Sequence, residues 1–185
     1  MTDTNSLIHT VDADSLTELL QRGGYRVNRA EQNGLVQLLS GSQGVGFAVR
    51  FGNPGPQEGQ FVDYTLSCAL RVQGDLPAGL VETWNISKRF ARMASQGDFL
   101  VLEMDVIVAG GVSENHMRGV AALWDRILQE FLLFYRQYAQ QVGQTVAPGD
   151  GKAVSDPVLA EGRAAAAAPD KPAADAAESE TTRTN

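Results

Sequence analysis

Alternating apolar and polar residues predict four β-strands in the first half of the chain. The alternation is clearest at 45–51 and 62–72, where every second residue is apolar and one face of each strand is expected to be buried. Asn33-Gly34 joins the first two strands, near 25–29 and 35–39, and is a strong signal for a tight hairpin turn. Because the connections are short, the four strands are expected to form an antiparallel meander.

Helical spacing of apolar residues predicts one helix before the meander and another after it. The first is short and can be capped by Asp12 or Asp14. It ends at Gly23-Gly24, because glycine tolerates the left-handed conformation found at helix C-termini. The second helix is expected to run from Pro77, which suits a first helical turn, to about Ser95. The docking face of the first helix carries Leu16, Leu19 and Leu20.

A strand, a Gly-Gly turn and a long aromatic helix form the most distinctive stretch of the chain. The strand begins at Phe99, and Gly110-Gly111 separates it from the helix, whose expected N-cap is Ser113. Apolar side chains cover about half of the helix circumference, whereas packing on one core needs a stripe of only about 100°. The surplus must therefore meet another helix of the same chain or a second subunit. A protein-binding contact is expected at Trp124, Ile127, Phe131, Phe134, Tyr135 and Tyr138.

These elements predict an α+β fold with an antiparallel sheet of about five strands. An N-terminal helix, a middle helix and a long C-terminal helix are expected to pack on the sheet. Residues 1–10 are expected to be a flexible arm, and residues 11–142 the folded domain. Residues 143–185 are rich in alanine, proline and acidic residues and contain no aromatic residue, so they are predicted to be disordered.

Net charge, cysteine count and the lack of targeting signals limit which partners and which cellular compartment are expected. The 185-residue chain has a formal net charge of −7, so neither nucleic acid nor an anionic membrane is expected as a partner. The N-terminus lacks the basic and apolar regions of a secretory signal, and no apolar run reaches the roughly 18 residues of a membrane helix. Cys68 is the only cysteine and cannot form an internal disulfide. A cytoplasmic protein is expected.

Glu103 and Asp105 are the strongest candidates for chemistry, because they lie two residues apart on one face of a strand. Such a pair could bind a cation or perform acid–base catalysis. No third ligand follows from the spacing. Arginines on neighbouring strands, such as Arg50 or Arg71, offer the simpler explanation of carboxylates neutralised by cations.

The remaining polar motifs do not assemble a catalytic or metal site. His9 and His116 have no metal-ligand spacing, and the glycines at 41–46 lack the helix and the lysine of a phosphate-binding loop. Three cations at 88–92 flank Phe90 and could contact an acidic partner, although a solvated helix face explains them as well. We therefore expect no catalytic residue, no metal and no cofactor.

Residues 81–92, VETWNISKRFAR, carry a likeness to a known family. They resemble the N-x-x-N…K-R-F helix of the YbjN-type proteins, described as bacterial sensory transduction regulators. The strand and turn that follow, up to residue 113, also resemble this family, and the likeness spans roughly residues 11–138. One departure is that Glu82 or Thr83 stands where the family has its first asparagine.

The resemblance implies an α+β domain of the type III secretion chaperone-like kind. Domains of this kind often form dimers and bind other proteins, and the family offers no catalytic residue to carry over. Asn85 is the matching polar position, for which a hydrogen bond to a neighbouring backbone group is the simpler role. With Trp84, Glu103 and Asp105, Asn85 makes up the possible polar site.

These observations favour a non-catalytic regulatory or chaperone-like domain that binds protein and forms a homodimer. The protein partner is not identified by the sequence. The alternative is a small-ligand sensor with a pocket between the sheet and the helices. An enzyme that uses Glu103 and Asp105 is the least favoured interpretation.

Overall fold

The computed structural model describes residues 7–32 and 34–141. In chain order the elements are α1 (Ala13–Arg22), β1 (Asn28–Gln32), β2 (Leu35–Ser42), β3 (Val45–Phe51), β4 (Asp63–Arg71), α2 (Leu80–Ser87), β5 (Arg92–Gln96), β6 (Phe99–Ile107) and α3 (Glu114–Gln141). These six strands form one antiparallel sheet in the order β1-β2-β3-β4-β6-β5. The predicted α+β class is confirmed, with one strand more than expected.

All three helices pack on one face of the sheet and share a single core with it. Four neighbouring strands place one buried residue each in the same register row of this face: Leu38, Val49, Leu66 and Met104. Helix α3 covers the sheet with side chains that are at most 1% exposed, among them Trp124, Leu128 and Phe131. Removal of this apolar surface from water is the main stabilising contribution.

The prediction of one helix from Pro77 to about Ser95 is correct only for Leu80–Ser87, and its larger error is in the second half. Helix α2 ends at Ser87, and Lys88 already has an extended backbone with φ −112° and ψ 159°. Phe90 has φ +73°, which no right-handed helix contains. The chain then turns into β5.

The apolar spacing of this region satisfies two periodicities, which explains the error. Ala91 and Met93 fitted the helical stripe, but they are buried on either side of the exposed Arg92, as strand alternation requires. Pairing with β6 through the turn at Gly97-Asp98 decides between the two. A long-range backbone ladder therefore overrides the local pattern.

The N-terminal segment is attached to the domain before α1 begins. Ile8 and Val112 exchange two backbone hydrogen bonds, of 2.7 and 2.9 Å, so the end of the predicted arm lies against the turn before α3. The expected N-cap of α3 is confirmed, because Ser113 Oγ accepts from the backbone N–H of His116 at 3.1 Å. Residues 1–6 of the predicted arm and the predicted tail, 143–185, lie outside the described residues.

Candidate functional site

The face of the sheet opposite the helices carries paired charges. In register, Arg50 lies opposite Thr65, and Thr65 lies opposite Asp105. Two residues along β6, Glu103 lies opposite Arg92 of β5. These side chains alternate with the buried residues of their strands, so they project from the open face.

Both carboxylates of the predicted pair are engaged. Glu103, with a side chain that is 15% exposed, accepts hydrogen bonds from Arg50 and from Arg92, the latter at 2.8 Å. Asp105 accepts from Arg92 and from Thr65 Oγ1, the latter at 2.6 Å. Partial burial alone would raise the pKa of Asp105, but these hydrogen bonds and the two arginine charges outweigh it and hold the pKa below the usual aspartate value. A carboxylate held ionised in this way is poorly suited to exchange protons near neutral pH.

The predicted neutralisation of these carboxylates is correct for Arg50 and wrong for Arg71. Arg71 lies 3.9 Å from Asp98 at the end of the sheet instead. Arg92 was missed as a partner because the sequence pattern placed it on a helix. Only the pairing of β5 with β6 brings its guanidinium to Glu103 and Asp105.

Asn85 ties helix α2 to the edge strand β5. Its Nδ2 donates to the carbonyl oxygen of Met93 at 2.9 Å, and its Oδ1 accepts from the N–H of Met93 at 2.8 Å. Because β5 lies at the edge of the sheet, the side-chain amide takes the place of a neighbouring strand at Met93. Asn85 therefore has the backbone-binding role that the sequence favoured.

The four residues of the possible polar site do not meet in one pocket. Trp84 is fully buried beneath α3, with its ring centroid 6.0 Å from that of Phe131. Glu103 and Asp105 lie on the opposite face of the sheet. Among the described residues, one gap between sheet and helices, lined by Phe47 and Trp124, has a volume of about 10 Å³. That space holds one water molecule at most.

A larger groove lies outside the core, between the N-terminal segment and α1. Its volume is about 390 Å³, and its lining includes His9, Glu18, Arg22 and Glu114. The volume falls within the range of small-molecule sites, about 300–1,000 Å³. The sequence had not singled out this place, because its lining comes from three separate parts of the chain.

The apolar residues predicted as a binding surface on α3 mostly face the core. Four of them are at most 8% exposed: Trp124, Ile127, Phe131 and Tyr135. Phe134 packs against Trp84 at 5.3 Å between ring centroids, and the Tyr138 hydroxyl donates to the carbonyl oxygen of Ala78 at 2.9 Å. Helix α2 of the same chain therefore covers much of the surplus apolar face.

The end of α2 and the turn that follows it expose apolar side chains instead. Ile86 is 87% exposed and Phe90 is 64% exposed, and the Arg89 guanidinium lies 5.1 Å from the centre of the Phe90 ring. We call Ile86, Arg89 and Phe90 the α2–β5 patch. Its aromatic residue holds φ +73°, in the left-handed region that bulky residues rarely occupy. The sequence indicated the cations next to Phe90, but the predicted helix concealed the exposure of its ring.

Hydrogen bonds on both sides hold this turn in place. The N–H of Lys88 donates to the carbonyl oxygen of Trp84 at 2.8 Å, and Trp84 Nε1 donates to the carbonyl oxygen of Ala91 at 3.0 Å. Lys88 Nζ also forms an ion pair with Glu130 of α3 at 2.9 Å. The backbone on both sides of Arg89 and Phe90 is therefore hydrogen-bonded to Trp84.

Other chemistry-bearing groups of the described chain are unremarkable. Within residues 7–32 and 34–141, no three His, Cys, Asp or Glu side chains are placed to hold a metal ion. Burial raises the pKa of the Cys68 thiol to about 12, so the thiol stays protonated at neutral pH. In the same part of the chain, no helix has both the length and the apolar character needed to cross a membrane.

Comparison with known proteins gives one family. The family model YbjN, described as "Putative bacterial sensory transduction regulator", matches residues 12–133. This range contains α1, the whole sheet, α2 and most of α3. No curated protein matches the chain.

Proposed function

This chain belongs to the YbjN family, and from that premise we propose that it is a non-catalytic regulator that acts by binding another protein. The observation that carries the proposal is the α2–β5 patch. The family description supports a regulatory role and names no enzymatic reaction. The mode of action proposed here, a protein contact, rests on the surface of this chain.

The energetics of Phe90 favour a binding role. A side chain with a Cβ in the left-handed region costs about 1–2 kcal/mol relative to the right-handed one. Burial of the ring could offset that cost, but the ring is 64% exposed. Backbone strain that the fold itself does not require tends to occur at functional sites.

The hydrogen bonds that flank the turn support the same proposal. Binding costs less when the contacting side chains are already fixed, and aromatic residues with arginines are frequent binding hot spots. Trp84 and Lys88 fix the backbone on which Phe90 and its stacked Arg89 are presented. A partner would therefore meet a preformed apolar and cationic surface.

Partner capture with surface variants tests this proposal. Immobilised full-length chain and its Ile86→Ser and Phe90→Gly variants are exposed to extract of the native host, and bound proteins are quantified by mass spectrometry. We expect a partner that the wild type retains and both variants lose. Leu35→Ser is the matched control, because Leu35 is 73% exposed on a distant strand and should not affect capture. A set of bound proteins that is identical for all four chains would contradict the proposal.

Self-association through α3 is part of the proposal but rests on a smaller surface than the sequence suggested. Leu133 is 55% exposed on this helix, next to the half-buried Phe134. We expect the wild type to have the mass of a homodimer in sedimentation equilibrium. The Leu133→Glu variant should have the mass of a monomer. A wild type that is monomeric at high concentration would exclude this part.

The groove beside α1 offers a second candidate function, the sensing of a small ligand. Its volume of about 390 Å³ favours this role, in a different place from the pocket expected between sheet and helices. Thermal-shift screening of metabolites would find a compound that stabilises the wild type but not Arg22→Glu. A screen without such a compound would remove this candidate.

A further inference from the structure

We propose that the α2–β5 patch binds residues 154–161 of the same chain, which follow the last described helix. The contact goes beyond the proposed function, since it requires no second protein. It defines both the docking surface and the chemistry of its occupant. If the proposed function also holds, this segment and the partner compete for one surface.

The patch has a chemical complement that can be specified. Ile86 and Phe90 offer apolar surface, and Arg89 offers a cation that makes no ion pair within the part of the chain that the structure describes. A fitting segment therefore carries neighbouring aliphatic side chains with carboxylates beside them. Cation–π contact leaves Arg89 charged, so it can still attract a carboxylate.

Residues 154–161, VSDPVLAE, have this composition. Val158 and Leu159 are the only two adjacent aliphatic residues larger than alanine after residue 141, and Asp156 and Glu161 flank them. From 142 to 185 the chain has seven acidic and four basic residues. Its net charge is therefore opposite to that of the patch.

The end of the described chain lies about one length of α2 away from the patch. The Tyr138 hydroxyl donates to the carbonyl oxygen of Ala78 at 2.9 Å, so the last turns of α3 lie beside the start of α2. Helix α2 has eight residues and is about 12 Å long. The 17 residues from 141 to 158 can span up to about 56 Å. The segment can therefore reach the patch on its own molecule.

Other occupants fit the charges less well. An anionic membrane or a nucleic acid would attract Arg89, but the whole chain has a net charge of −7 and would be repelled from both. A second copy or a separate protein would have to supply a matching segment from solution. A segment attached to the same chain has a higher effective concentration at the patch. The attached segment is thus the occupant that the observations favour.

Photo-crosslinking of the full-length chain tests the contact. Benzoylphenylalanine is placed at Ala160, next to the proposed anchor, and in a matched control at Ala174. After irradiation at low protein concentration, mass spectrometry locates the crosslinks. We expect monomer-mass crosslinks from position 160 to residues 86–90, and few from position 174. Phe90→Gly and Arg89→Glu, made in the position-160 chain, should each reduce this crosslink about fivefold or more.

Three results would overturn the proposal. Crosslinks from position 160 that avoid residues 86–90 would exclude the surface, and equal crosslinking in the two variants would exclude Arg89 and Phe90 as its basis. Crosslinks found only at dimer mass would assign the segment to a second copy. Glycine suits the backbone of Phe90, so loss of the crosslink in Phe90→Gly does not reflect unfolding. The experiment involves no partner, so its outcome is separate from that of the capture experiment.

Discussion

Two exposed regions of this molecule differ in whether their side chains find partners within the chain. On the open face of the sheet, Glu103 pairs with Arg50 and Arg92, and Asp105 pairs with Arg92, so each of these four charges has a partner. On the turn after α2, by contrast, a largely exposed Phe90 occupies a strained backbone conformation. The charges of the first region are paired within the chain, whereas the apolar ring of the second is left exposed to solvent.

This contrast separates structure from function. The sequence drew attention to the carboxylates, because paired acids resemble catalytic or metal-binding groups. Their observed partners make them a stabilising ladder between strands. A residue with a strained backbone and an exposed apolar side chain, neither of which stabilises the fold, is the better functional candidate. Phe90 of the α2–β5 patch is such a residue.

The largest effect is expected when the support of the patch is removed. Trp84→Ala deletes a fully buried ring and its hydrogen bond to Ala91, and should lower the free energy of unfolding by about 4 kcal/mol. Urea unfolding followed by circular dichroism measures this. Ile86→Ala, two residues away on the exposed side, should change it by less than about 0.5 kcal/mol. Similar losses in both variants would show that Ile86 stabilises the fold as much as Trp84 does, and is not merely an exposed surface residue.

A smaller loss is expected on the open face. Glu103→Ala leaves two arginines without their shared carboxylate and should lower the free energy of unfolding by about 2 kcal/mol. Asp98→Ala is the control, because its ion pair with Arg71 is long and solvent-exposed and should contribute less than about 0.5 kcal/mol. A loss no greater than that of the control would mean that the ladder contributes little to stability.

The ion pairs on the open face also predict that stability depends on pH. The pKa of Asp105 is lower in the folded chain than in the unfolded one. Its stabilising contribution is therefore complete above the ordinary aspartate pKa of about 3.9 and is lost as the pH falls through the folded-state value. Asp105→Asn should be less stable than the wild type at about pH 6, and the difference should shrink toward about pH 3. Unfolding curves that keep the same difference at both values would contradict this assignment.

The smallest effect on stability, and one of opposite sign, is expected at Phe90. Phe90→Gly relieves the left-handed strain, so the free energy of unfolding should stay unchanged or rise by up to about 1 kcal/mol. Ile86→Gly, within α2, should instead lower it by about 1 kcal/mol. Chemical denaturation of the two variants distinguishes these cases. A clear loss in Phe90→Gly would show that the ring stabilises the fold and need not serve a contact.

Local patterning was sufficient for most of the fold and insufficient for the site. The meander, α1 and α3 follow from apolar periodicity, turn residues and caps such as Ser113. The assignment failed at residues 88–96, where Ala91 and Met93 fit a helix and a strand equally well. Only the neighbouring β6 decides between them. That single error displaced Arg92 from the ladder and concealed the exposure of Phe90.

The α3 aromatics show the same limit. Their wide apolar face was recognised in the sequence, but whether Phe134 and Tyr138 meet a second subunit or α2 depends on how the chain folds back. The structure gives them contacts with Trp84 and Ala78 of their own chain. The proposed binding surface therefore moved from α3 to the turn that packs beside it.

The most direct test combines stability and capture in one variant. Full-length wild type and Phe90→Gly are compared for free energy of unfolding and for the amount of captured partner. We predict a Phe90→Gly chain that is at least as stable as the wild type and binds about fivefold less partner or worse, a change of about 1 kcal/mol in binding. Equal capture by two equally stable chains would contradict a binding role for the α2–β5 patch.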